Sequence, residues 1–265
     1  MHQDNKNKIY HVEILPTKQD TEKLLADLEL FAGKFERVMA SGYVACLTDN
    51  AMGNLAFQGH EMIAELGLEC RPGQVMIHLN TFHTKENLHE ILDFCQRNSI
   101  FELLIVSGDG SDRLPRLQPA DIGASGSETV TSVELIRYVQ EQYPDVFHIG
   151  AAFNPYEPAE HEFRKLENKL AAGAEFIITQ PLIEQNAVVD RLLARYPDLP
   201  VIIEAWMSKK LHLLSDAVGY PIPEDTAFDP LATLTQLQQI YPQAGIYLSI
   251  LGFKTQYHLI EGTWG

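Results

Sequence analysis

The run Ala172-Gly173-Ala174-Glu175-Phe176-Ile177-Ile178-Thr179-Gln180-Pro181 decides how this chain folds. A glycine turn leads into a short, wholly apolar, β-prone segment that stops abruptly at a threonine and a glutamine. Continuous apolar runs of this length suit strands covered on both faces, as in parallel sheets flanked by helices. Upstream, Gly150-Ala151-Ala152-Phe153-Asn154-Pro155 reads as another such strand ending in a polar loop, and a charged helical segment separates the two. In a parallel α/β protein the carboxyl ends of the strands open onto the ligand-binding loops. Gln180 is therefore a candidate site residue.

The same alternation extends in both directions. Strands are expected at Tyr10 to Leu15, Tyr43 to Thr48, Val75 to Leu79, Leu103 to Val106, Phe147 to Ala152, Phe176 to Thr179, Val201 to Glu204 and Ile246 to Ile250. Helices are expected near Lys18 to Phe31, Leu55 to Leu66, Lys85 to Arg97, Ser132 to Tyr143, Glu160 to Ala172, Ile183 to Tyr196, Ser208 to Val218 and Ala232 to Tyr241. Thr131 and Glu134 stand three apart, as a capping box requires. Eight alternating pairs in 265 residues point to an α/β chain folded as a (β/α)₈ barrel, with an open doubly wound sheet as the alternative. A short polar tail, residues 1–8, precedes a single barrel domain over residues 9–265. The longest irregular segment, Ser107 to Glu128, follows the fourth strand, and loops of this length in compact domains are usually functional.

Lys and Arg total 20 against 36 Asp and Glu, a formal net charge of -16, which argues against nucleic acid because that affinity rests on cations neutralising phosphates. Cys46, Cys70 and Cys95 are widely spaced and lack a CxxC pattern, as expected for buried thiols of a reduced compartment. No apolar run approaches the roughly 18 residues of a membrane span, and the expectation is a soluble, cytoplasmic protein.

Chemistry is sought where each strand ends. Glu13 sits between apolar neighbours in Ile9-Tyr10-His11-Val12-Glu13-Ile14-Leu15. Pointing inward, its carboxyl would be desolvated, raised in pKa and suited to general acid catalysis; pointing outward, it would be an ordinary strand glutamate. Thr48-Asp49-Asn50 and His78-Leu79-Asn80-Thr81 end the second and third strands, and each alone is ordinary turn chemistry. Ser107-Gly108-Asp109-Gly110 ends the fourth, where glycines permit close backbone approach and Asp109 can accept hydrogen bonds from a heterocycle. GxGxxG, GKS/GKT, HExxH and GxSxG patterns are absent, so nothing motivates a dinucleotide fold, a P-loop, a metal site or a serine nucleophile.

In this order, the segments Val12-Glu13-Ile14-Leu15-Pro16, Thr48-Asp49-Asn50, Ser107-Gly108-Asp109, Gly150 to Pro155, and Lys169-Leu170-Ala171-Ala172-Gly173-Ala174 with Thr179-Gln180-Pro181 resemble the methylenetetrahydrofolate reductase family over roughly residues 9 to 225. The variants at Ser107 to Asp109 and Asn154-Pro155 are closer to its corrinoid-associated branch. The resemblance implies a (β/α)₈ barrel holding FAD, and flavin-dependent reduction of 5,10-methylenetetrahydrofolate to 5-methyltetrahydrofolate. Glu13 would then be the catalytic acid and Asp109 a second catalytic residue beside flavin and pterin. Thr48, His78, Ser107, Gly108, Asp109, Phe153 and Lys169 would bind FAD, with Phe153 stacking on it and Lys169 pairing with its pyrophosphate. Gln180 would bind the pterin. NAD(P)H and a partner protein are both admitted as electron donor, and a homo-oligomer is left open. Glu157 replaces the family's histidine after the fifth strand, and Glu204-Ala205-Trp206-Met207 replaces a glycine and proline after the seventh. Those two departures motivate one alternative, a non-redox folate-binding subunit; a folate-dependent methyltransferase or demethylase on the same barrel is a further one.

Overall fold

The computed structural model describes residues 9–110, 112–124 and 128–261. Eight parallel strands close into a barrel in sequence order, which bears out the expected (β/α)₈ architecture. They are β1 (Tyr10–Ile14), β2 (Val44–Leu47), β3 (Val75–Leu79), β4 (Glu102–Ile105), β5 (His148–Phe153), β6 (Phe176–Thr179), β7 (Val201–Trp206) and β8 (Gly245–Ser249). Among the helices, α1 is Leu24–Ala40, α2 Gly59–Glu65, α3 Lys85–Arg97, α4 Ser132–Gln142, α5 Ala159–Ala172, α6 Ala187–Arg195, α7 Leu211–Val218, α8 Pro230–Ile240 and α9 Phe253–Gln256. Thr131 and Glu134 form the expected capping box at the start of α4.

The first helix differs from the sequence expectation of Lys18 to Phe31. Lys18 forms an antiparallel bridge with Ala56, Gln19 donates to the Leu55 carbonyl and Phe57 to that of Thr17. These bonds tie residues 17–19 alongside Leu55 to Phe57, turns follow at residues 19–20 and 22–23, and α1 starts only at Leu24. It then runs on to Ala40, because Phe31, Phe35, Val38 and Met39 carry a buried stripe at helical spacing. Part of the long segment after β4 is ordered as a short 3₁₀ turn, Pro119–Ile122, capped by Gln118 and Asp121; Ser111 and the run 125–127 lie outside the described residues.

The chain packs as two compact units. The first comprises the segment ending at Glu13, Ala152–Arg164 and everything from Phe176 onward; the second comprises Ile14–Ala151 and Lys165–Glu175. In the first unit β7 pairs with β8 and β8 with β1. Tyr10 and Val12 are buried, and the Tyr10 hydroxyl accepts a hydrogen bond from Gln238 of α8 at 2.8 Å. That face of β1 is turned to the helices, so the alternate residues His11 and Glu13 face the interior. In the second unit β2, β3, β4 and the first part of β5 pair in parallel. Cys46 and Cys95 are buried there and Cys70 half-buried, all as free thiols.

Candidate functional site

The first unit places two acidic side chains, Glu13 of β1 and Glu204 of β7, on the strands that flank β8. The Tyr247 hydroxyl of β8 donates to Glu13 Oε2 at 3.3 Å, and the Ser249 hydroxyl donates to Glu204 Oε1 of β7. Neither carboxyl is wholly sealed from solvent, but both are closely enclosed by protein. Burial pushes Glu13 up to about 7, with the Tyr247 bond pulling the other way. Burial pushes Glu204 up to about 8, the negative charge of Glu13 adds to this, and the Ser249 bond opposes it. A carboxyl raised this far retains a proton near neutral pH, the condition for a general acid.

Glu204 is also fixed through its backbone. Its N–H donates to Thr179 Oγ1 at 3.2 Å, and its carbonyl accepts from the Leu182 N–H at 2.9 Å. Thr179 is buried, whereas Gln180 is half-buried and donates its backbone N–H to the Phe153 carbonyl at 2.9 Å. At the end of β7 the Trp206 indole N–H is buried with no acceptor among the described residues.

The second unit carries a different polar group. Asp49, just past β2, bonds His83 Nε2 at 2.7 Å through Oδ2, while the same oxygen accepts from the Asn80 N–H at 2.9 Å. The Asn80 side chain in turn donates to the Asp49 carbonyl, and Asn87 holds the other nitrogen of His83 at 2.9 Å. Burial works to lower the pKa of His83, but the charge and hydrogen bond of Asp49, with Asn87, outweigh it and hold the imidazole above its ordinary value. On this shelf stands the expected loop after β4. Ser107 accepts at its carbonyl from Thr81 Oγ1 at 2.9 Å, and Asp109, exposed, accepts from the Met52 N–H at 3.0 Å. Gly108 adopts φ +84°, and a Cβ there would meet the Asn80 side chain at 2.7 Å, so only glycine fits. Thr48 is buried, and burial drives His78 down to about 4 against a smaller pull from Asp49, leaving it neutral.

Two expected cofactor residues are placed differently. The Phe153 ring is fully buried and packs edge-to-face on Phe163 of α5, with centroids 5.6 Å apart. Its ring is thus taken up by the helix layer, which corrects the stacking expectation. Lys169 stands in the last turn of α5, next to Leu170, which lines a cavity of about 1170 Å³ with Phe101, Phe147 and His148 at the amino ends of β4 and β5. The second unit therefore does not bring Lys169 to the group beyond the carboxyl ends of β2, β3 and β4. Glu157 pairs with His161 at 3.8 Å on the surface. In the first unit a cavity of about 620 Å³ follows β7 and β8, lined by Lys209, Lys210, Phe228, Gly252 and Gln256 among others.

A family model for methylenetetrahydrofolate reductase matches residues 1–214 of this chain. The chain belongs to the methylenetetrahydrofolate reductase family. Methylenetetrahydrofolate reductase 2 of Schizosaccharomyces pombe (strain 972 / ATCC 24843) is 26% identical over 187 residues, covering 63% of this chain but only 27% of that protein. Among solved structures, a Clostridium thermocellum protein that binds two copies of 5-methyl-5,6,7,8-tetrahydrofolic acid superposes with a TM-score of 0.65 at 13% identity, over 96% of this chain and 92% of its own. A 2,3-dimethylmalate lyase of the PEP mutase/isocitrate lyase superfamily gives a TM-score of 0.53 at 10% identity, over 95% and 78% of the two chains. Both likenesses are of fold.

In this methylenetetrahydrofolate reductase family member, Tyr247, Ser249 and the pairing of Asp49 with His83 escape sequence reading, and Glu204 and Trp206 register there only as part of a departure from pattern. One available signal was the isolated glutamate in Val201-Ile202-Ile203-Glu204-Ala205, which matches the setting of Glu13. The alternation in Gly150-Ala151-Ala152-Phe153 likewise puts Phe153 on the face of Ala151, and both are buried.

Proposed function

We propose that the chain reduces 5,10-methylenetetrahydrofolate to 5-methyltetrahydrofolate with FAD as hydride carrier and Glu13 as proton donor. The observation that carries this reading is the Glu13 carboxyl, hydrogen-bonded by Tyr247 and pushed up by burial to about 7. The one-carbon bridge opens only when its amine is protonated, and an acid still protonated near neutrality meets that need. Gln180, half-buried after β6, both donates and accepts, as an amide-like pterin edge requires. Lys209 and Lys210, lining the cavity after β7 and β8, suit the carboxylates of a folate tail. Folate binding by the structurally similar Clostridium thermocellum protein supports tetrahydrofolate as the ligand class.

The second unit's carboxyl-end group suits the polar edge of a flavin. It offers the hydroxyls of Thr48 and Ser107, the neutral imidazole of His78, the half-buried backbone at Gly108 and the side chain of Asp109. Arg116, held over the Phe82 ring at 5.2 Å, supplies a cation from the same loop for the diphosphate. Bound FAD would supply the hydride, and Asp109 would tune charge beside it. The electron donor is taken to be either NAD(P)H or a partner protein.

The buried ring of Phe153 and the position of Lys169 favour a second reading, a folate-binding or methyl-transferring protein that works without flavin. Absorbance of the purified protein, followed by anaerobic mixing of its reduced form with methylenetetrahydrofolate, separates the two. A flavin spectrum and folate-dependent reoxidation are expected. Tight folate binding without flavin uptake would establish the second reading instead.

A further inference from the structure

Glu13 and Glu204 lie on the two strands that flank β8, and β8 supplies the hydroxyl bonded to each. Glu204 is level with Tyr247 in the β7–β8 register. Val12 is level with Leu248, so Glu13 stands one parallel step on, beside Ser249. The hydrogen bonds cross this register: Glu13 takes Tyr247, and Glu204 takes Ser249. Both carboxyls thus reach over the intervening strand, towards residues two apart that share one face of it. Glu204 is further immobilised by the Thr179 and Leu182 bonds to its backbone.

We propose that Glu204 is a positioning residue for proton delivery: with Glu13, Tyr247 and Ser249 it forms one proton-sharing group, in which Glu204 holds a reserve proton and returns Glu13 to its acid form after each turnover. This rests on the reading of Glu13 as the proton donor. In the step itself the Glu13 O–H breaks and a substrate N–H forms, leaving a Glu13 carboxylate beside a protonated Glu204. The Glu204 proton then passes to Glu13, and Glu204 regains one from solvent, so charge and protons balance. The raised values of about 7 for Glu13 and about 8 for Glu204 make Glu13 the first to give up its proton and the return from Glu204 about tenfold uphill, so proton uptake by Glu204 from solvent completes it; both values belong to the pair as a whole. Other titratable groups around the pair are His11 on β1 and Tyr156 beyond β5. Burial raises the Tyr156 phenol, and Tyr220, Glu204 and Glu184 add to the effect.

The test is an infrared titration of the protonated-carboxyl absorption in the purified protein, paired with single-turnover and steady-state folate reduction. Wild type should lose two protons between about pH 7 and 8. Glu204→Gln should lose one, keep its first turnover and slow in steady state by about tenfold, with Glu204→Asp restoring the rate. Ser249→Ala, which removes only the hydroxyl bonded to Glu204, should move the second proton loss to higher pH. A single-proton titration in wild type, or an unchanged steady state in Glu204→Gln, would overturn the proposal. A two-proton titration in a protein that reduces no folate would establish the shared protons and overturn the reductase reading instead.

Discussion

Asp49 in the second unit and Glu204 in the first are both carboxyls withdrawn from water near strand ends, but their partners differ in kind. Asp49 faces the imidazole of His83 at 2.7 Å and two amide donors of its own neighbourhood, so both its carboxyl oxygens have hydrogen-bond partners. Glu204 has a serine hydroxyl and, electrostatically, another carboxyl. A matched buried charge holds a loop in place; an unmatched one stays protonated and is available for chemistry. The contrast separates scaffold from reagent among residues that look equally polar in sequence.

The most forceful challenge to the comparison is Glu13→Gln. It should lower folate reduction by about 10²- to 10⁴-fold while flavin reduction by an artificial donor is retained. Stopped-flow absorbance of both half-reactions measures this, and normal folate turnover by the variant would make Glu13 a structural residue.

His83→Ala probes the other side of the contrast. It leaves the buried Asp49 carboxyl without its imidazole partner and should cost about 1–3 kcal/mol in urea denaturation. The sign of the pH effect follows from linkage. His83 holds its proton more tightly folded than unfolded, so its contribution is complete below the ordinary histidine range and fades as pH rises through the folded value. Glu13 and Glu204 are also raised, so the folded state binds more protons than the unfolded between the ordinary carboxylate range and about 7 to 8, and stability falls across that window too. The variant should lose the first component and keep the second.

Tyr247→Phe is the gentlest probe. Losing one hydrogen bond should cost about 1 kcal/mol, and because that bond lowers the Glu13 pKa, the alkaline limb of folate reduction should move upward. A downward move would mean that Tyr247 acts on Glu13 by some route other than hydrogen bonding.

All eight strands were legible, because runs such as Phe176 to Thr179 are apolar on both faces and bounded by turn residues. The course of residues 17–23 was not, since the Lys18–Ala56 bridge is a tertiary event that overrides local helical pattern. In the site, Glu13 and Gln180 stood out as polar residues where a strand is otherwise apolar. Tyr247 and Ser249 did not, because hydroxyls are unremarkable in strands and only the parallel register brings them to the two glutamates. The role expected of Phe153 depended on which face of β5 it occupies, and side-chain identity alone does not decide that.

The ties on Glu204 from Thr179 and Leu182 carry one further consequence. Both main-chain groups at this position are spoken for by neighbours, so the backbone of the strand here is held by bonds that do not depend on the acidity of the side chain. Position 204 can be exchanged for its acidity alone, and the barrel becomes a mount on which the proton inventory is adjusted without rebuilding the mount.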